Sequence, residues 1–254
     1  MKNISISLLI LIFFSGCKKE KELIEVALPD PDQIEEVVYA NPNEVKTNEG
    51  PFKMKGLKYQ YNSLEPYIDV KTMEIHYSKH HLGYANKLNA ALKDSDFKTS
   101  NIIEILKNLD INNENLKNNA GGYYNHNLFF EILTKEKNTK PSQVFLDAVN
   151  EQFGSFNALK SEITNQANQV FGSGWVWIII DSDKKLIITK TSNQDNPLMS
   201  NALQKGTPIF AIDLWEHAYY LKYNNSKSNY LENIFNVIDW KIVSKKYEDQ
   251  LLIE

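Results

Sequence analysis

Asp213-Leu214-Trp215-Glu216-His217-Ala218-Tyr219-Tyr220 sets a carboxylate and an imidazole four residues apart. The run follows the β-branched and aromatic residues 209–214, introduced by Gly206-Thr207-Pro208, and precedes sequence with helical periodicity. Asp213 therefore belongs at a strand end and His217 near the start of the next element, where both are held by rigid backbone. All five histidines of the chain fall in three short segments: this one, Glu74-Ile75-His76-Tyr77-Ser78-Lys79-His80-His81, and Asn125-His126-Asn127. His76 and His80 are one helical turn apart and share a face. A carboxylate with several imidazoles can form a mononuclear metal site, and nitrogen and oxygen donors without thiolate suit Fe, Mn or Zn. Spacing alone does not choose among them. Any one of these histidines also fits a hydrogen-bonded core position.

Outward from these segments, the chain changes grammar once. Between residues 72 and 92, Met73, Tyr77, His80, Tyr84, Leu88 and Ala91 recur at helical steps, with Asp69 or Thr72 near the start. Residues 116–133, after an Asn-rich connection, 142–153 and 155–171 read as further helices, the last two opening on a serine able to cap the first turn. Residues 175–180 and 186–191 are β-branched and aromatic runs joined by Asp181-Ser182-Asp183-Lys184, a hairpin, and 209–214 supplies a third strand. Helical patterns return from Glu216 to the end. An all-α part followed by an α+β part is the architecture this order predicts.

The 254 residues carry a formal charge of −4 with 42% hydrophobic and 24% charged residues, the balance of an ordinary globular protein. A pI near 5.8 argues against a nucleic-acid partner. There is no arginine; all 28 basic residues are lysine. The single cysteine, Cys17, excludes an internal disulfide and a thiolate zinc cluster. Residues 1–16 form a secretory signal: Lys2, then a short apolar run, ending in Phe14-Ser15-Gly16 before Cys17. With the hydrophilic stretch after it, this resembles a bacterial lipoprotein signal, in which Cys17 is acylated; an ordinary signal peptide is the alternative. Residues 17–56, rich in Glu, Asp, Asn and Pro, read as a lipid-anchored flexible tether, with a marginal helix within 33–39.

The segments 57–68, 73–91, 118–130, Phe171-Gly172-Ser173-Gly174-Trp175-Val176-Trp177, Gln194-Asp195-Asn196-Pro197-Leu198-Met199 and 213–223 together resemble the iron/manganese superoxide dismutase family, in its order and approximate spacing. The resemblance implies an α+β fold class: an N-terminal helical hairpin domain (57–139), then an α+β domain with a three-stranded antiparallel sheet (140–254). It implies one metal ion per subunit, held by His76, His126, Asp213 and His217. Tyr84 matches the gateway tyrosine, though it fits the apolar face of its helix equally well. His80 matches a histidine that meets a tyrosine of a second subunit, Tyr220 that tyrosine, and Glu216 a residue reaching the other subunit's metal-bound histidine. His81 is left as structural. Trp175, Trp177 and Trp215 match aromatics around the site, and would equally suit a plain core.

The resemblance also bears on the metal. Iron members supply a solvent-bonding glutamine four residues before the second histidine ligand, which here is Gly122. Manganese members supply it from the loop before the third strand, which here is Gln194. Manganese is therefore expected, with iron as the alternative. Tyr123 and Phe130 depart from the family pattern, and Lys227-Ser228 stand where it usually has arginine and proline; Lys227 is expected to steer the anion. The implied reaction is dismutation of superoxide to dioxygen and hydrogen peroxide, by a homodimer anchored through Cys17 on the periplasmic side or the cell surface. A zinc hydrolase leaves Gln194 and the aromatics without a role. A non-catalytic metal-binding surface lipoprotein on the same scaffold is the remaining alternative.

Overall fold

The computed structural model describes residues 38–253. The signal 1–16, Cys17 and most of 33–39 lie outside the described residues, whose helices include none long and apolar enough to cross a membrane.

The expected tether does not reach residue 56. Asn41 caps the short turn Pro42–Glu44, and the Asn43 side chain accepts from Leu57 N–H at 3.1 Å. Asn86 accepts from Asn48 N–H at 2.7 Å, and Asn89 bonds both the N–H and the carbonyl of Phe52, at 2.9 and 2.8 Å. Phe52 is buried. Gly50 crosses so close to Asn89 that a Cβ there would lie 2.2 Å from its side chain. Asn41 and Asn43, whose polarity suggested solvated chain, are spent on backbone N–H groups, and the segment is a strap on the helix that carries Asn86 and Asn89.

That helix belongs to a nearly continuous rod. Asp69 caps α1 (Val70–Ile75) by accepting from Thr72 N–H, followed by a π-helical turn, His76–His81, and then α2 (Leu82–Lys93). The uniform helix expected over 72–92 is thus widened by one turn in which Leu82 N–H reaches back five residues to Tyr77. Such turns are frequent at functional sites. The Asn-rich connection contains a helix the sequence reading missed, α3 (Ile102–Asn108), capped by Asn101; short, with only two buried residues, it lacks a sustained apolar period. α4 (Glu114–Glu131) is capped by Asn113 and antiparallel partner to α2 in the helical half.

α5 (Gln143–Phe153) and α6 (Phe156–Asn168) open on Ser142 and Ser155, whose hydroxyls accept from Phe145 and Ala158 N–H. α6 stops three residues short of the expected end, leaving Phe171 outside it. β1 (Gly174–Ile180), β2 (Leu186–Ser192) and β3 (Thr207–Asp213) form an antiparallel sheet in the order β2-β1-β3. Every β1 residue is buried, which explains why it reads as an unbroken apolar run and not an alternation. After β3 the expected helical patterns become a 3-10 turn (Glu216–Ala218), α7 (Tyr220–Tyr223), α8 (Lys227–Ile234), a second 3-10 turn (Phe235–Val237) and α9 (Trp240–Leu251), with Asn224 at φ 51° breaking the chain after α7.

The change of architecture near residue 139 is not a gap in packing. Tyr77 and Phe129 from the helical half and Trp175 and Ile212 from the sheet lie in one apolar cluster. Asp213, at the end of β3, faces Trp175 of β1, so the first functional residue enters this cluster directly from the sheet.

Candidate metal centre

Four side chains converge where the halves meet. His76 opens the π turn, His126 lies in α4, Asp213 ends β3, and His217 sits in the 3-10 turn after it. One ligand atom from each lies within 4.8 Å of all the others. The Nε2 atoms of His76 and His217 are each 3.1 Å from Asp213 Oδ2, and that of His126 is 3.6 Å away. Only His217 is aligned to hydrogen-bond it. His76 and His126 each leave a buried Nε2 without a hydrogen-bond partner, which is costly unless another group satisfies it. The second Asp213 oxygen is engaged by Trp215 N–H at 2.9 Å.

The protonation states favour a cation. His126 Nδ1 is 2.7 Å from the Gly122 carbonyl, which can only accept, so Nδ1 carries the proton and Nε2 keeps its lone pair for the centre. Burial pushes His76 down to about 4 and His126 well below the usual imidazole value. Burial would raise Asp213, but the neighbouring His217 and His76 hold its carboxyl far below the usual range. Near neutral pH, His76 and His126 are neutral and Asp213 is ionised. An ion preferring nitrogen and oxygen fits this set, and its binding would satisfy the two unpartnered nitrogens.

Aromatic side chains close the surroundings. Trp175 meets His126 edge-on at 5.2 Å, Phe130 meets His76 at 4.9 Å, and Trp215 stacks on His217 at 5.6 Å. Trp177 stands behind Trp175, stacked at 5.7 Å, with its indole N–H on Thr191. The two departures from the family pattern pack here too: Phe130 lies against Tyr77 and His81, while Tyr123 donates to the Lys53 carbonyl on the strap at 2.8 Å.

The widened turn brings both following histidines to the cluster. His80 stacks on His217 at 4.1 Å, and His81 lies parallel to His126 at 5.6 Å, buried, with an unpartnered Nδ1. Burial lowers His80 and pushes His81 down to about 3. Tyr84 joins through Gln194, whose Nε2 donates to the phenol oxygen at 3.1 Å. Burial raises the Tyr84 phenol. Gly121 and Gly122 make room: a Cβ on Gly121 would lie 2.0 Å from the Gln194 carbonyl, and one on Gly122 would lie 2.4 Å from the Tyr84 ring. A glutamine at position 122 would therefore collide with Tyr84 as it stands.

Glu216 and Tyr220 are exposed and are not drawn into the cluster of their own chain. Lys227 is committed elsewhere: its ammonium donates to the Ala167 and Val170 carbonyls, at 3.2 and 3.0 Å, just where α6 ends. Its placement is that of a helix C-terminal cap, and burial lowers its basicity. The expectation of a free steering charge is corrected to that extent. Sequence reasoning gave no task to Asn125, which donates to both the main-chain and side-chain oxygens of Gln194. An asparagine next to His126 in the sequence, on a helix whose buried residues are mostly apolar, was the available signal.

The chain matches the profiles described as iron/manganese superoxide dismutases, alpha-hairpin domain, over residues 51–134, and iron/manganese superoxide dismutases, C-terminal domain, over residues 141–246. It belongs to the iron/manganese superoxide dismutase family. It is 41% identical over 202 residues to superoxide dismutase [Mn] of Acinetobacter baylyi, covering 79% of this chain and 89% of the relative. It is also 41% identical over 204 residues to superoxide dismutase [Mn/Fe] of Methylomonas sp. (strain J), covering 79% and 99%. With superoxide dismutase [Mn] 1 of Leptolyngbya boryana it shares 42% over 202 residues, covering 78% and 81%.

Proposed function

We propose that the protein is a superoxide dismutase using one manganese ion per subunit, with iron as the alternative. The observation that carries this reading is the convergence of His76, His126, Asp213 and His217 on one point, with two buried Nε2 atoms unpartnered. Bound there, the ion supplies a one-electron couple between +3 and +2, by which one superoxide is oxidised to dioxygen and a second, with two protons, is reduced to hydrogen peroxide. The chain's part is to hold the donors neutral or anionic as needed and to wall the centre with aromatics. Tyr84 remains a protonated phenol, because burial raises it, and Gln194 fixes its hydroxyl. The Tyr84 hydroxyl, held by Gln194, is the O–H group this arrangement would offer a small anion. Gln194 together with the lack of space at Gly122 supports manganese over iron.

The alternative, a non-catalytic metal-binding lipoprotein, gains nothing from the relatives, which are named as enzymes. Elemental analysis paired with superoxide scavenging, before and after chelation and reloading with manganese or iron, tests the reading. Near-stoichiometric manganese with matching activity supports it; iron with activity replaces the metal; a folded chain inactive with both ions overturns it.

A homodimer through the face bearing His80, Glu216 and Tyr220 belongs to the same reading. Its support is the exposure of Glu216 and Tyr220 beside the centre, and of Phe171, which is 99% exposed on the single chain. Sedimentation of Tyr220→Asp and Phe171→Asp tests it: both should shift toward monomer. Export and acylation at Cys17 rest on the signal-like residues 1–16 alone. Mass spectrometry of the mature N-terminus, and release from membranes by Cys17→Ser, decide that part.

A further inference from the structure

We propose that Asn196 is a positioning residue that sets the rotational state of the Gln194 amide, although it hydrogen-bonds neither the four metal-site residues nor Tyr84. Gln194 can present either its NH2 or its oxygen to Tyr84, and only one choice lets it donate to the phenol. Two donors hold that choice by occupying Gln194 Oε1: Trp175 Nε1 and Asn125 Nδ2, both at 3.1 Å. Trp175 can only donate, so its contribution is fixed. Asn125 is itself an amide that could turn over, and a turned Asn125 would set oxygen against oxygen at Gln194.

Two groups hold Asn125. Its Nδ2 also donates to the Gln194 main-chain carbonyl at 3.1 Å, and its Oδ1 accepts from Asn196 Nδ2 at 3.2 Å. Asn196 is in turn oriented by a group with no choice: Leu198 N–H donates to Asn196 Oδ1 at 2.8 Å. One directional chain therefore runs from a backbone N–H through three amides to the Tyr84 hydroxyl. Each link uses its amide in the single sense that the previous link allows. Asn125 and Asn196 are fully buried and Gln194 nearly so, so water does not compete for these bonds. Asn196 lies two residues beyond Gln194 on the same loop. The loop thus supplies both the glutamine and, through α4, the clamp that orients it.

The inference rests on the dismutase reading only for the importance of Gln194, and its test separates the two. The measurement follows the Gln194 side-chain NH2 by NMR in metal-free protein labelled with 15N-glutamine, assigned by its absence in Gln194→Ala. In the wild type, this amide should show a cross-peak to Tyr84 and slow exchange with solvent. Asn196→Ala should speed that exchange about threefold to tenfold, the worth of one neutral hydrogen bond. Asn196→Asp keeps the shape but puts acceptor against Asn125 Oδ1, and should weaken the Tyr84 cross-peak more than alanine does. After manganese loading, superoxide turnover should fall in the same order. Lower melting temperatures with an unchanged Gln194 amide signature in Asn196→Ala would reduce Asn196 to a packing role and overturn the proposal, whether or not the aspartate variant folds. An altered amide in a chain whose wild type, fully loaded with manganese or iron, does not scavenge superoxide would sink the enzyme reading and leave the positioning intact.

Discussion

At the scale of single residues, the centre works by denying its members their usual partners. His76 and His126 are buried with Nε2 unpaired, and Asp213 is ionised because imidazoles surround it. Asp213→Asn removes the one negative charge among the four ligands, and we expect metal content to fall well below one ion per chain. The melting temperature of protein prepared in excess manganese should then approach that of metal-free protein, because the stabilisation is binding energy. Tyr84→Phe keeps the ring and removes the acceptor of Gln194. It should load metal normally while turnover drops about tenfold or less, the worth of one hydrogen bond. Gly122→Ala presses a methyl group into the Tyr84 ring and should cost about 1–3 kcal/mol in denaturant unfolding, the range for overpacking.

At the scale of elements, two local departures from regular structure place the chemistry. The π turn brings His76, His80 and His81 to the same cluster, which an unbroken α-helix would splay over a wider arc. The 3-10 turn after β3 folds His217 back over Asp213 at hydrogen-bond distance. Neither has a compositional signature, since the same residues satisfy the ordinary helical period. The strap over α2 depends on Asn89, buried with both amide atoms on Phe52. Asn89→Ala leaves the N–H and carbonyl of Phe52 unsatisfied and should destabilise the protein by about 1–3 kcal/mol, with activity per bound metal unchanged. Chemical denaturation alongside an activity assay checks both parts.

At the scale of the whole molecule, the site joins the two halves, so its electrostatics become a property of folding. Unfolded histidines take up protons near pH 6.5, whereas folded His76 does so only at about 4 and His81 at about 3. Between these values the unfolded chain binds more protons than the folded one, and stability must fall as pH falls. For metal-free protein we expect the loss to begin below about pH 6.5 and to reach several kcal/mol by pH 4, since each buried imidazole forfeits about 1.4 kcal/mol for every pH unit below its unfolded value. Melting temperatures taken across that range measure it. A flat profile would mean that the buried imidazoles gain protons as readily in the folded chain.

Most of the order of helices and strands and the Ser142 and Ser155 caps were legible in the amino-acid sequence, because they are written in local spacing, whereas α3 was not. The set His76, His126, Asp213 and His217 came from the family resemblance and not from spacing. The central strand was legible because burial on both faces demands an unbroken apolar stretch. The reach of the N-terminal tether was overestimated, since asparagines that bind backbone look the same in a sequence as asparagines that face water. Nothing in the sequence showed that Lys227 caps α6, that His81 stacks on His126, or that Asn196 hydrogen-bonds Asn125. Each of these contacts joins groups far apart in the chain, as with Asn125 and Asn196, separated by 71 positions. Hydrogen-bond direction is decided only when both partners are in place, and it is the folded chain that puts them there.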